Sequence, residues 1–241
     1  YGLMRMFAKS GLSTALAWYM VPDEANNADG KHINYIGREK FRQCDPLLHD
    51  VMAEIISTGQ RNIRSVEKSH ILGKETLFHS EILDFSHVLP LSDHKGRAIR
   101  GQLREKWLSD CVTQTKGRDV VFFDPDNGIQ GSQPRPLSNR GPKYLYWSDL
   151  SPFISRNQSL VIYNHASRQG GVYDQISRRL AEVTEHVPYG SNAFAMLWRS
   201  FSVRYYLVVP TPAHQKLILS VCKNMMGGSW GQKGLFELVQ K

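Results

Sequence analysis

Cysteine is scarce in this chain of 241 residues: Cys44, Cys111 and Cys222 stand far apart and form no CxxC pair. That excludes a disulfide framework and a cysteine zinc site, and it suits a reducing compartment. Long apolar runs are missing as well. No stretch approaches the roughly 18 residues of a membrane span, and residues 1–21 lack the apolar core and cleavage pattern of a secretory signal, so a cytoplasmic protein is expected. With no internal repeat and no low-complexity segment, nothing suggests a repeat array or a disordered scaffold.

What is present is enough apolar material, 41% of residues with 10% aromatic, to bury a sizeable core. One domain over residues 1–241 is expected, with a helical insertion at about 44–75. Thirty Lys and Arg against 22 Asp and Glu give a formal charge of +8 and a pI near 9.4. The balance favours an anionic partner, nucleic acid above all, although the basic residues are scattered.

Residues 12–21 form the first strongly apolar segment, stopped by Pro22, Asp23 and Glu24. From Asn26 to Arg42 the chain reads as a long polar loop, with a short strand at Ile33 to Ile36. Asp45-Pro46 then caps a helix to about Ser57, whose Leu47, Leu48, Val51, Met52, Ile55 and Ile56 recur at helical spacing. A second short helix is expected within Gln60 to Leu72 and a short strand within residues 77–83. Pro90 to Gly101 reads as a loop carrying Lys95, Arg97 and Arg100, followed by an amphipathic helix from Gln102 to Thr115.

Asp119-Val120-Val121-Phe122-Phe123 is a buried strand that breaks at Asp124-Pro125-Asp126-Asn127-Gly128, a run of turn formers. In an open α/β sheet, ligands bind outside the carboxyl ends of the strands, so these acids face a site or else cap their own turn. Gly128 to Pro142 follows as a candidate substrate loop with Arg135 and Arg140, or else as a disordered stretch. Beyond it come a helix near Trp147 to Ser155, a buried strand Ser159 to Tyr163, and a helix Tyr173 to His186. Ala193 to Trp198 and Val203 to Val209 are spaced for a hairpin. The final helix is expected from about Pro212 to Met225. Trp18, Trp107, Trp147 and Trp198 read as core, and Trp230, among glycines, as part of a flexible tail segment.

This order resembles the second half of the sheet in class I S-adenosylmethionine-dependent methyltransferases. Asp124-Pro125-Asp126-Asn127 looks like the (Asp/Asn)-Pro-Pro-(Tyr/Phe) motif of the amino-methyltransferases, and Leu160 to His165 with the hairpin is similar to the ribosomal-RNA adenine-N6 enzymes. The resemblance covers roughly residues 102–210. It implies a Rossmann-like, doubly wound, mostly parallel α/β sheet with a carboxy-terminal antiparallel hairpin, S-adenosylmethionine as cofactor, and a nucleic-acid substrate. It also implies that the Asp124 side chain and the Pro125 carbonyl accept hydrogen bonds from the target amino group. The chain departs from the motif at Asp126, where the second Pro would stand, and at Asn127, where an aromatic would stack a flipped base. No Gly-rich turn follows the first strand, where Asp23 and Glu24 are the candidate cofactor-binding residues.

A metal-dependent nuclease or phosphodiesterase is the competing chemistry. In it Asp23, Asp124 and Asp126, joined by Glu24, would hold Mg²⁺ or Mn²⁺, because hard cations take carboxylate oxygens and a metal activates water beside a scissile phosphate. A noncatalytic nucleic-acid-binding module is the third reading. His165, just past a buried strand, is a candidate catalytic group in the first reading, with Tyr163, Asn164 and Arg168 beside it as substrate contacts. The net charge predicts nucleic-acid binding that weakens by about tenfold or more between about 50 and 200 mM salt, measured by anisotropy, through loss of counterion release. Binding indifferent to salt would contradict it.

Overall fold

Short runs rich in Val, Phe, Leu and Ile, buried on both faces, alternate along the chain with amphipathic segments, the pattern of strands covered by helices on two sides. The computed structural model describes residues 1–23, 33–131, 135–168 and 170–240. In chain order they form α1 (Gly2–Lys9), β1 (Thr14–Trp18), α2 (Glu39–Arg42), α3 (Pro46–Ser57), α4 (Ile63–Lys68), β2 (Leu77–His79) and α5 (His94–Gln114). There follow β3 (Val120–Asp124), α6 (Trp147–Ser155), β4 (Ser159–His165), α7 (Val172–His186), β5 (Phe194–Trp198), β6 (Arg204–Val209), α8 (Gln215–Gly227), α9 (Ser229–Gln232) and β7 (Phe236–Val239).

One mixed sheet of seven strands runs in the order β2-β1-β3-β4-β6-β5-β7. The first four in that order are parallel to one another, β3 and β4 being adjacent as the helix between two buried runs requires. The carboxy-terminal part is antiparallel: β6 runs against both β4 and β5, and β7 runs against β5.

Side chains alternate between the two faces of each strand. Ala15, Val121, Phe123, Leu160 and Ile162 pack with α5, α6 and α7 in one buried layer. Leu16, Trp18, Phe122, Val161 and Met196 pack with α1, α3, α8 and α9 in the other. Among the described residues no helix is long and apolar enough to cross a membrane.

Several elements differ from their sequence expectation. Residues 34–37 are a turn, not a strand, and α2, with Phe41 buried, occupies the end of the segment expected to be loop as far as Arg42. The helix expected from Gln102 begins at His94, because Asp93 accepts hydrogen bonds from the Lys95 and Gly96 N–H groups and caps it eight residues earlier. The expected cap of α3 is in place, with Asp45 accepting from Leu48 N. Asp45 also takes a 2.7 Å bond from the Arg5 Nε, so the same carboxylate ties α1 to α3.

Trp230 is the largest departure. It is 8% exposed in α9, packs its ring edge on Phe236 at 5.8 Å, and meets α1 where Gly2 has no side chain; a Cβ there would lie 2.8 Å from the indole. The flanking glycines permit close backbone approach and are not a flexible tail. Trp230→Ala should cost about 3–5 kcal/mol in urea unfolding, the range for emptying a buried aromatic site. A loss below about 1 kcal/mol would return the segment to a loose tail.

Candidate functional site

Asp124 is the last residue of β3, in register with Trp18 at the end of β1. The two-residue alternation that sends Phe122 to the α1/α3/α8 face sends Asp124 there too, at the carboxyl end where the helices no longer cover the sheet. A cleft of about 340 Å³ opens at this place. Its floor is Leu16 and Phe122, and its inner walls are Trp18, Tyr163 and Tyr206. Trp198 and Phe236 close one end, while Tyr35, Phe41 and Phe201 stand at the mouth.

Asp124 is partly buried and its carboxylate accepts no hydrogen bond among the described residues. Loss of water pushes its carboxyl up to about 6, against the opposing pull of nearby positive charge that includes Arg204. Arg204 opens β6. Because β6 is reversed, its first residue lies beside the last residues of β4, in register with His165. The guanidinium sits 6.0 Å from the Tyr163 ring centroid.

The Tyr163 hydroxyl and His165 Nδ1 share a hydrogen bond of 2.9 Å. Burial, then the charge of Arg204, holds His165 below its ordinary value, and burial drives Tyr163 up to about 12. His165 is exposed and stands at the rim.

The mouth is held in an uncommon conformation. Phe201 has φ 60, the left-handed region that a bulky residue rarely enters, and is 42% exposed. Its ring stacks on Phe41 at 5.6 Å and 16°, with the Arg38 guanidinium 5.1 Å from its centroid. The 199–203 connection therefore folds onto the 34–42 segment and roofs the cleft.

The other predicted positions lie around this cleft without lining it. The Pro125 carbonyl accepts from Gly128 N at 3.2 Å and closes the turn, which leaves it one lone pair. Asp126 is exposed and pairs with Lys143 at 3.4 Å, and Asn127 N donates to the Lys143 carbonyl. Asn164 is 3% exposed; its oxygen accepts from Ile129 N and its amide donates to the Ile162 carbonyl. It approaches Gly128, φ +77, so closely that a Cβ would come within 2.6 Å of its oxygen, which makes Asn164 a strap for the turn below Asp124.

Arg135, Arg140 and Arg168 are exposed, and none of the three lines the cleft. Asp23 is exposed on a separate hollow with Asp84 and Lys143. Glu24 lies outside the described residues. Among those described, no group of three His, Cys, Asp or Glu side chains is placed to hold a metal ion, so the convergence of Asp23 with Asp124 and Asp126 is not assembled.

Tyr35, Phe41, Phe201, Arg204 and Tyr206 escaped the sequence reading. Only Tyr206 carried a signal, since it shares strand parity with Val208 on the face of Asp124. The rest reach the cleft through loops and pairing. No protein-family model and no curated protein matches the chain.

A carboxyl raised from the ordinary 3.8 to about 6 penalises the folded state once it ionises. The penalty is absent below pH 3.8, grows from there to about 6 and is complete above it, because the unfolded chain gives up this proton first. Asp124→Asn should therefore raise stability by on the order of 2 kcal/mol at pH 8 and leave it unchanged near pH 3.5, read from urea midpoints. Equal gains at both pH values would show that the carboxyl is not held in a dry site.

Proposed function

We propose that the protein is a nucleic-acid-modifying enzyme that receives an amino-bearing base in the aromatic cleft, with Asp124 as hydrogen-bond acceptor for the amino group. The observation that carries this reading is Asp124 itself: a partly buried carboxylate with no hydrogen bond of its own, at the end of a central strand and among aromatic rings. A base flipped from its stack is recognised by such rings and by bonds to its polar edge. Trp18, Tyr163 and Tyr206 supply stacking surface that the turn lacks at Asn127.

N-methyl transfer from S-adenosylmethionine is the reaction that the resemblance attaches to this arrangement. The parallel part β2-β1-β3-β4 with helices on both faces supports a Rossmann-like reading, and the reversed strand between β4 and β5 supports the antiparallel hairpin that the resemblance implies. The donor side fits poorly. The described residues after β1 run Tyr19-Met20-Val21-Pro22-Asp23 without a glycine, and the Trp18 ring at the strand end is buried with its Nε1 donating to Glu67 at 3.0 Å. That stretch does not give the close backbone approach a Gly-rich turn provides, so the reading rests on the acceptor side alone.

On that side the chemistry is one of placement. Asp124 takes one N–H of the amino group; the Pro125 carbonyl, which the resemblance makes the second acceptor, closes its own turn and does not line the cleft. With the amino group held by Asp124, the nitrogen lone pair is turned toward the incoming electrophile, an orientation effect worth about 10²-fold when lost. Incorporation of label from S-adenosylmethionine into RNA or single-stranded DNA should fall about 10²-fold in Asp124→Ala and less in Asp124→Asn, which keeps an acceptor oxygen. Asp126→Asn should stay near wild type because Asp126 faces solvent beside Lys143. Full activity in Asp124→Ala would overturn the role of the acid. Base binding without any transfer would make the protein a noncatalytic binding module.

A further inference from the structure

Recognition of a base at Asp124 leaves a second polar group of the cleft unused. The Arg204 Nε donates to Ser202 Oγ at 2.9 Å, while its two terminal nitrogens meet no acceptor among the described residues, and no carboxylate there forms a salt bridge with it. Arg204 is partly buried and lines the same cleft as Asp124. A guanidinium withdrawn from water with an open fork is completed best by an anion that accepts two parallel bonds, which phosphate does. Beside it the Tyr163 hydroxyl is joined to His165, whose Nε2 has no described partner, so the pair leaves one further donor at the same rim.

The cleft thus asks three things of one ligand. It needs an N–H group for Asp124, a flat apolar body for Trp18, Tyr163 and Tyr206, and an anion for Arg204. A nucleobase supplies the first two and lacks the third.

We propose that the ligand of the cleft is an amino-base nucleotide, with its phosphate held by the Arg204 fork and its base between the aromatic walls. This rests on the base-pocket reading and adds the phosphate to it. The same chemistry is offered by a free nucleotide and by one residue of a strand, and the net charge of +8 suits both.

The test is calorimetric titration of the intact chain with adenosine, adenosine 5′-monophosphate and a single-stranded adenosine hexanucleotide. The monophosphate should bind at least about tenfold tighter than adenosine, the scale of one charge-assisted bidentate contact. Arg204→Ala should bring the monophosphate down to the level of adenosine measured on the same variant. Arg204→Lys should fall between, since an ammonium keeps the charge and loses the fork. The wild-type ratio decides the matter even if a variant folds poorly. Equal binding of adenosine and its monophosphate would overturn the phosphate anchor and spare the base pocket, whereas no binding of any of the three would overturn both. A hexanucleotide tighter than the monophosphate identifies the phosphate as that of a strand, and the reverse order as that of a free nucleotide.

Discussion

The reversed strand β6 is the constraint on which the cleft depends. Hydrogen-bonded between β4 and β5, it runs opposite to both, so its first residue lies level with the last residues of its neighbours. A parallel strand in that place would put Arg204 at the far end of the sheet. Reversal instead sets Arg204 beside His165 and Trp198, and sets Tyr206 against Tyr163, with ring centroids 5.9 Å apart. The connection between β5 and β6 then leaves the sheet at the carboxyl end, where Phe201 folds onto Phe41. Arg204, the Tyr206 wall and the Phe201 roof follow from that one pairing direction, while Asp124 takes its place from β3.

Burial on both faces of the central strands is what gives Asp124 its chemistry. Val120 to Phe123 are buried between the two helical layers, and the carboxylate begins where that cover ends. A carboxyl on an open turn would keep its ordinary acidity and face water. Here the rings around it exclude water, and the proton is held more tightly for that reason. The turn that follows is fixed from beneath by Asn164, whose amide oxygen holds Ile129 N and whose position leaves room only for a glycine at 128. Rigid support of this kind keeps a site residue aimed where it is needed.

The two carboxylates of the turn have separated in role although they are two residues apart. Asp124 belongs to the strand and takes its face from strand parity, whereas Asp126 lies beyond the strand end and reaches Lys143 at the surface. The same separation removes Asp23 from the cleft. It leaves the sheet after Met20, which bridges to Ile82, and so turns toward the β2 side and a different hollow.

Strand and helix content was legible in the residues themselves wherever periodicity was strong. Val120 to Phe123, Ser159 to Tyr163, Trp147 to Ser155 and the cap at Asp45 are local facts, fixed by side-chain burial patterns and by one carboxylate's reach to a backbone N–H. The parallel adjacency of β3 and β4 was also legible, since a helix between two buried runs leaves little else. Asp124 could be singled out because a strand that breaks on an acid is visible in one dimension. The start of α5 at His94 and the burial of Trp230 were hidden, the first behind a charged segment whose cap outweighs its weak periodicity, the second behind glycines that allow packing as readily as motion. Which residues share the cleft was decided by tertiary structure alone. Tyr35 and Phe41 come from one segment and Phe201 and Arg204 from another far away in sequence, and only the pairing of β6 with β4 and the packing of loop on loop bring them to Asp124. Sequence fixes which side chains want burial and at what period; long-range hydrogen bonding between strands decides which end of the sheet they reach.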